Sequence, residues 1–157
     1  MDEGVLNALS SMPHGIYVLT SAWQEKINAM IASWVTQVSY EPPLVMVAVH
    51  PNRLSHHLLE KGGSFGLHLI SKRQEDLLKR FKGPEPERKF SSLEWSRGKT
   101  GCPLLKECIG FVECVIREKY QPGNHTLFVG EVINARVLSS EKPLTTLEYG
   151  GTYTGKA

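Results

Sequence analysis

The residues best suited to bind an anion lie in the segment HPNRLSHH, at positions 50–57. A predicted strand ends just before it, Pro51 and Asn52 turn the chain, and a helix is predicted to begin near Arg53. The first backbone N–H groups of a helix have no partner within the helix and attract negative charge. Together with the guanidinium of Arg53 and the hydroxyl of Ser55, they predict an anion site. In the alternative interpretation, Asn52 simply caps the helix.

A second candidate for anion binding is the stretch from Lys72 to Lys99. It carries nine basic and five acidic side chains, so half of the 18 Lys and Arg residues of the chain lie within it. One interpretation is a solvated helix face followed by a loop. The other is a local positive region that holds one or two phosphate groups. The net charge of the whole chain is only +2, which gives no support for nucleic acid as a partner.

A third segment, INAMIASWVTQVSYEPP at 27–43, is apolar enough for a buried strand. Asn28, Ser33, Trp34 and Thr36 nevertheless interrupt it. A core strand that faces only protein has little use for a row of small and hydrogen-bonding residues. The pattern therefore indicates that part of this segment faces something other than protein.

The familiar catalytic and metal-binding motifs do not occur in the sequence. It has no GxGxxG, P-loop, GxSxG or HExxH pattern. His56 and His57 are adjacent and would point apart on a helix, so we predict that both lie on a helix surface and hold no metal. Three cysteines fit no common zinc spacing and are predicted to be reduced thiols in the core. They are Cys102, Cys108 and Cys114.

Short strands dominate the predicted elements. Strands are predicted at 14–22, 27–39, 43–49, 64–70, 110–120 and 126–138, with a possible bulge at Gly130. Helices are predicted at 5–12, 53–61 and 74–81, and 83–103 is predicted to be a long surface loop. Neighbouring strands with few, short helices favour a mainly β fold, an antiparallel β-barrel with short helices, over a βαβ sheet.

Length and composition favour a single domain over residues 1–157. Hydrophobic residues make up 41% of the chain and charged residues 22%, which is typical of a globular protein. The longest apolar run, at 44–49, is far too short to cross a bilayer, so no membrane association is predicted. The first 15 residues have neither the basic start nor the apolar stretch of a signal peptide, so we expect a cytoplasmic protein.

Three runs of residues, taken in order, match one known family. They are N-A-M-x-A-S-W-V-T-Q-V-S-x-x-P-P, then H-P-x-R-x-S, then G-x-H-T-L-F-V-G-E-V. From about Ile16 to Tyr153 the chain resembles the flavin reductase-like family of FMN-binding split barrels, near its flavoredoxin branch. The resemblance implies a homodimer of small antiparallel barrels, with FMN bound near the subunit interface.

The resemblance further implies that the segment 28–34 lies along the isoalloxazine ring of FMN. Small residues would let the backbone approach a flat heterocycle, while Asn28 and backbone N–H groups would bond its polar edge. Trp34 would add an aromatic surface. The residues assigned to the ring are Asn28, Ala29, Met30, Ile31, Ala32, Ser33 and Trp34. This contact would explain why small and polar residues interrupt an apolar strand.

The FMN phosphate is assigned by the same resemblance. Ser55 would hold it, together with the turn and helix start formed by Pro51, Asn52 and Arg53. Lys89, in the predicted loop, would reach toward the same phosphate. Both candidate anion sites would therefore serve one ligand group.

Two more residues are assigned to the flavin. His125, which taken alone is predicted to be structural, would lie beside the flavin, and Tyr153 would lie near its ring. The family often has Gly-Asp-His where this chain has Gly-Asn-His at 123–125. A carboxylate that could orient the histidine is therefore absent.

The implied activity is hydride transfer from NADH or NADPH to FMN, followed by electron transfer to a flavin, an iron centre or a partner redox protein. The cofactor carries this chemistry, so no catalytic acid or base is assigned. In the alternative, the chain is an FMN electron carrier that does not oxidise nicotinamides itself. A third alternative is a barrel without flavin that serves as an interaction module.

Overall fold

The computed structural model describes residues 1–156, and most of its regular structure is β-strand. The strands are β1 (Tyr17–Trp23), β2 (Lys26–Ala32), β3 (Val35–Ser39), β4 (Leu44–Val49), β5 (Ser64–Leu69), β6 (Trp95–Arg97), β7 (Pro103–Leu105), β8 (Gly110–Tyr120) and β9 (Thr126–Val137). The helices are α1 (Glu3–Ser10), α2 (Leu54–Gly62), α3 (Glu75–Leu78), α4 (Pro86–Phe90) and α5 (Thr146–Tyr149). Single 3₁₀ turns at Lys72–Gln74 and Lys79–Phe81 flank α3.

Seven strands form one antiparallel sheet in the order β2-β1-β5-β8-β9-β4-β3, and β6 and β7 form a separate hairpin. The two edge strands, β2 and β3, are separated in sequence only by Ser33 and Trp34. The sheet must therefore curl until its edges meet at these two residues. The backbone N–H of Ala48 donates a 3.0 Å hydrogen bond to the carbonyl of Trp34, which extends the β3–β4 pairing into this junction. The predicted antiparallel barrel with short helices is confirmed.

Apolar side chains from alternate positions fill the barrel. Leu19, Phe65 and Phe128 are among the fully buried residues of this core. Gly130 on β9 lies against the ring of Phe65, and a Cβ atom at this glycine would come within 2.7 Å of the ring. The β8–β9 register shifts twice, at the unpaired Ile133 of β9 and at the unpaired Arg117 of β8. The second shift directly follows the Ile116–Gly130 pair, so the ladder is irregular at the predicted position, with the extra residue on β8. The glycine also makes room for the core.

Two expectations about the elements are wrong. The predicted single strand at 27–39 is two strands, because the chain changes direction between the two edges of the sheet. The predicted surface loop at 83–103 contains α4, β6 and the start of β7, and Lys89 and Phe90 are buried. Its proline and glycine residues separate short helices and strands instead of forming one long loop. Within residues 1–156, no helix is both long and apolar enough to span a membrane.

Candidate functional site

A cavity of about 420 Å³ opens where β2 passes into β3. This volume lies within the usual range for small-molecule sites. Seven of the residues assigned from the sequence line it, namely Met30, Ile31, Ala32, Ser33, Trp34, Arg53 and Tyr153. The junction that closes the barrel therefore also forms the cavity wall, which is why small residues follow one another there.

Aromatic side chains form one wall of the cavity. The ring centroid of Trp34 lies 4.7 Å from that of His125 and 4.9 Å from that of Tyr153. His125 does not itself line the cavity but packs behind the two residues that do. The cluster gives a flat ligand a large, rigid aromatic surface.

The orientation of His125 is set by two hydrogen bonds. Its Nδ1 lies 2.8 Å from the amide oxygen of Asn124, and its Nε2 lies 2.7 Å from the hydroxyl of Tyr153. Because an amide oxygen can only accept, Nδ1 carries the proton and Nε2 accepts from Tyr153. Burial, and then the nearby His50, lower the pKa of His125, so its imidazole is neutral at pH 7. Asn124 thus orients the ring without supplying a negative charge.

Three buried polar side chains from distant parts of the sequence meet beside the cavity. Lys89 donates from Nζ to Asn28 Oδ1 at 2.9 Å and to the carbonyl of Ala29 at 2.8 Å. Asn28 donates from Nδ2 to Ser55 Oγ at 3.0 Å. The exposed fractions of Asn28, Ser55 and Lys89 are 3%, 1% and 3%. β2, α2 and α4 are thereby joined through one asparagine.

The positive charge of Lys89 has no opposite charge beside it. Within residues 1–156, no Asp or Glu forms an ion pair with it. Burial, and then the positive charge of Arg53, lower the pKa of Lys89 to about 8. Burying a charge without a partner raises the free energy of the folded state, and a second cation nearby raises it further. An anion between Lys89 and Arg53 would relieve both costs.

The turn before α2 is not the helix cap that the alternative interpretation requires. Arg53 occupies the N-cap position and no side chain caps the helix. Asn52 is exposed, and its backbone N–H donates to Nδ1 of His50 at 3.3 Å. The capping interpretation is therefore wrong. Pro51 is also exposed and, like Asn52, lies outside the cavity wall.

The remaining assigned residues lie close behind the wall. Ala29 is fully buried, and its carbonyl accepts from Lys89. The amide of Asn28 is directed to Ser55 and Lys89, whereas the sequence assigned it to the ring edge. Ser55, Lys89 and His125 do not line the cavity. Lys89 bonds to Ala29, the residue before the lining Met30, and His125 packs on the lining Trp34.

Ten lining residues were not identified from the sequence. They are Ile16, Ala48, Val49, His50, Phe81, Lys82, Gly83, Tyr149, Gly151 and Thr152. His50 belongs to the HPNRLSHH segment and Lys82 to the basic stretch, so both lie in segments that the sequence already indicates as candidate anion sites. The others are ordinary apolar or turn residues, and only the folded chain brings them together.

The other histidines and the cysteines give no metal site. The prediction that His56 lies on the surface is wrong, since it is 7% exposed and its Nε2 lies 2.7 Å from Oγ1 of Thr126. His57 is exposed, as predicted. The three cysteines are buried and unpaired. In the described part of the chain, no three His, Cys, Asp or Glu residues are grouped to hold a metal ion.

Taken together, these features define an antiparallel β-barrel whose cavity has the size of a small-molecule site and an aromatic wall, with the buried cation Lys89 near the cavity-lining Arg53. A family model described as the flavin reductase like domain matches residues 9–155. The chain therefore belongs to the flavin reductase like domain family, and the resemblance inferred from the sequence is confirmed.

Three comparisons illustrate this membership. The chain is 30% identical over 156 residues to a ferric-chelate reductase (NAD(P)H) of Archaeoglobus fulgidus, covering 96% of this chain and 92% of that protein. It is 28% identical over 146 residues to diflavin flavoprotein A 1 of Synechocystis sp., covering 90% of this chain but only 25% of that protein. A solved NADH:FAD oxidoreductase of Streptomyces globisporus, in complex with NAD and FAD fragments, aligns with a TM-score of 0.82 and 27% identity, covering 90% of this chain and 85% of that one.

Proposed function

We propose that residues 1–157 form one FMN-binding domain that oxidises NADH or NADPH and passes the electrons to a separate acceptor. The observation that carries this proposal is the buried cation of Lys89, which lacks a carboxylate partner beside a 420 Å³ cavity with an aromatic wall. A ligand that combines a flat ring with a phosphate meets both requirements. FMN has this composition.

The residues present fit such a ligand. Lys89, Arg53 and the free hydroxyl hydrogen of Ser55 would hold the phosphate, because charged hydrogen bonds to an anion are strong. Trp34 and the backbone of the β2–β3 junction would border the ring, and Tyr153 would cover it from the C-terminal side. The phosphate end and the ring end of the site are therefore formed by different residues.

When bound, FMN would supply hydride acceptance from a nicotinamide and electron donation to the acceptor. The protein itself would bind the flavin, orient it and shield it from water. Trp34 and Tyr153 exclude water from one side of the cavity. His125 is neutral and its Nε2 is occupied by Tyr153, so it holds the wall in place and is not assigned a proton transfer step.

The acceptor is a flavin, an iron complex or a partner redox protein. Support for an iron complex comes from the ferric-chelate reductase, and support for a flavin from the NADH:FAD oxidoreductase. The diflavin flavoprotein supports a protein acceptor, because there a related segment is a quarter of a longer flavoprotein.

A homodimer and a cytoplasmic location complete the proposal. β3 is an edge strand of the sheet that begins one residue after Trp34, and the exposed fractions of Val38 within it and Tyr40 just beyond it are 48% and 88%. A second subunit would cover this apolar edge and enclose the flavin more fully. The three unpaired cysteines support a reducing compartment.

The decisive experiment combines a spectrum with a turnover assay. The purified protein, with FMN added, should show the visible absorption of a bound flavin and should oxidise NADH or NADPH when free flavin or a ferric chelate is present. A protein that binds FMN but is reduced by nicotinamide no faster than free FMN would be an electron carrier. A protein that binds no flavin would contradict the proposal.

A further inference from the structure

A second cavity, of about 710 Å³, lies away from the first and shares no lining residue with it. It is formed by the β6–β7 hairpin, the start of β8 and the end of β9. Arg97, Lys99, Lys106 and Arg136 contribute four cationic side chains to its wall. No Asp or Glu of residues 1–156 lines it, although the chain carries a net charge of only +2. The buried carboxylate of Glu113 lies behind the lining residues Gly98 and Asn134.

The cations of this cavity are mostly uncompensated. Lys99 and Arg136 have exposed side chains, and neither forms an ion pair with any described carboxylate. Lys106 has a distant partner, Glu94 at 3.9 Å, and Arg97 donates to the carbonyl of Gly101 at 2.9 Å. Like charges that share a concave surface raise the local positive potential, and such a potential attracts multiply charged anions.

A buried carboxylate fixes the loop that carries Lys99. Glu113 is fully buried, and its oxygens accept from the backbone N–H of Thr100 at 2.6 Å and from Nδ2 of Asn134 at 3.0 Å. It therefore ties the 98–101 loop to β9, across the cavity wall. A Cβ atom at Gly98 would lie only 2.3 Å from Glu113, so only glycine allows this approach. These contacts anchor the loop that carries Lys99 to the sheet.

Part of the cavity wall is apolar. Phe111 is half-buried and Leu104 is buried, and both line the cavity. An aromatic side chain offers a stacking surface for a flat ring, and the cations offer charged hydrogen bonds to phosphate oxygens. The concave shape favours a small molecule over a flat protein surface.

We propose that this cavity binds a phosphorylated aromatic small molecule at a site separate from the flavin cavity. A nucleoside diphosphate is the simplest probe, because it combines one flat ring with several negative charges. The ring would lie on Phe111, and the phosphates would contact Lys99 and Arg136. This inference does not depend on flavin binding, since the two cavities have no residue in common.

The test is a calorimetric titration of the purified protein with ADP, pyrophosphate and adenosine, with and without saturating riboflavin, which has the flavin ring but no phosphate. ADP should bind saturably at a single site with a dissociation constant below about 1 mM, both with and without riboflavin. Pyrophosphate and adenosine should each bind more weakly than ADP, because each offers only half of the contacts.

Variants distinguish the contribution of the cationic side chains from that of the aromatic ring of Phe111. The double variant Lys99→Gln/Arg136→Gln should weaken ADP binding by about tenfold or more. The matched control Lys61→Gln/Lys142→Gln removes two exposed charges that form no ion pair in the described chain and lie outside the cavity, and it should leave ADP binding unchanged. Phe111→Leu should weaken ADP but not pyrophosphate. If Phe111→Leu does not fold, the two double variants of exposed residues still decide the question.

Three results would overturn the proposal. One is the absence of ADP binding up to about 1 mM. Another is equal weakening in the two double variants, which would indicate general charge attraction. The third is displacement of ADP by riboflavin, which lacks the phosphate that the second cavity requires and would therefore place the nucleotide in the flavin cavity. If the protein bound ADP but no flavin, this inference would stand while the proposed function failed.

Discussion

The ammonium of Lys89 lies 2.9 Å from the amide oxygen of Asn28, and neither side chain is more than 3% exposed. The two residues are 61 positions apart in sequence. The same asparagine donates to Ser55, so a single amide connects the two groups that we assign to a phosphate. Asn28 thereby acts as a positioning residue for the anion site, and the following predictions test that arrangement.

FMN binding should become weaker as the pH rises above 8. Without ligand, burial and Arg53 hold the pKa of Lys89 at about 8. A bound phosphate favours the charged ammonium and raises this pKa, so binding takes up a proton above pH 8. The FMN affinity should therefore fall by up to about tenfold per pH unit above 8. Fluorescence titrations between pH 7 and pH 9.5 should show this slope for FMN and none for riboflavin.

The matched control for this pH dependence is Lys89→Met, which keeps most of the apolar stem but has no ammonium. This variant should bind FMN weakly and with no slope in the same range. An unchanged slope would assign the titration to another group.

Phosphate contacts and ring contacts should be separable by two ligands. Ser55→Ala and Lys89→Met each remove a group assigned to the phosphate, and charged hydrogen bonds contribute about 1.5–3 kcal/mol. Each should weaken FMN by about 10- to 150-fold while leaving riboflavin nearly unchanged. Trp34→Ala should weaken both ligands together, because it borders the ring they share. The placement of the flavin would be reversed if Trp34→Ala spared riboflavin.

Asn28→Asp should reduce FMN affinity more than riboflavin affinity. The new carboxylate would lie beside Lys89 and form an ion pair with it, so the ammonium would no longer be available to the phosphate. Asn7→Asp on the exposed α1 adds the same charge elsewhere and should have little effect. An equal loss for both flavins would instead show that Asn28 contacts the ring.

Acid should destabilise the protein partly through His68. This residue is fully buried, accepts from the N–H of Leu105 at Nε2 and lies 3.0 Å from the carbonyl of Val18 at Nδ1. Burial lowers its pKa to about 4, against about 6.5 in the unfolded chain. The unfolded state therefore binds the proton first, and the unfolding free energy falls by up to ~1.4 kcal/mol per pH unit between 6.5 and 4 from this group.

Urea unfolding at several pH values between 7 and 4.5 measures this effect. His68→Gln can donate to Val18 and accept from Leu105 without titrating, so its stability should decline less steeply than that of the unchanged chain. Burial lowers the pKa of His56 and His125 as well. Both residues are present in the unchanged chain and in His68→Gln, so they contribute equally to the pH dependence of the two proteins. Parallel curves for the two proteins would rule out His68 as the source.

The sequence by itself determined the fold class and the longer elements. Apolar and polar residues alternate along 110–120 and 126–138, and turn residues separate the short apolar runs. These are local patterns, which is why β8 and β9 agree with the prediction almost to the residue. The long motifs determined the family in the same way, since each is a continuous run of side chains.

Only the tertiary structure decided which side chains meet. The sheet order brings the edges together at Ser33 and Trp34, and no local pattern indicates that the run at 27–39 must break there. His56 is buried because β9 presents Thr126 to it, although its helix position is consistent with exposure. The bonds that join Asn28 to Lys89 and to Ser55 span 61 and 27 residues. Such contacts depend on how the elements pack, and periodicity along one element carries no information about them.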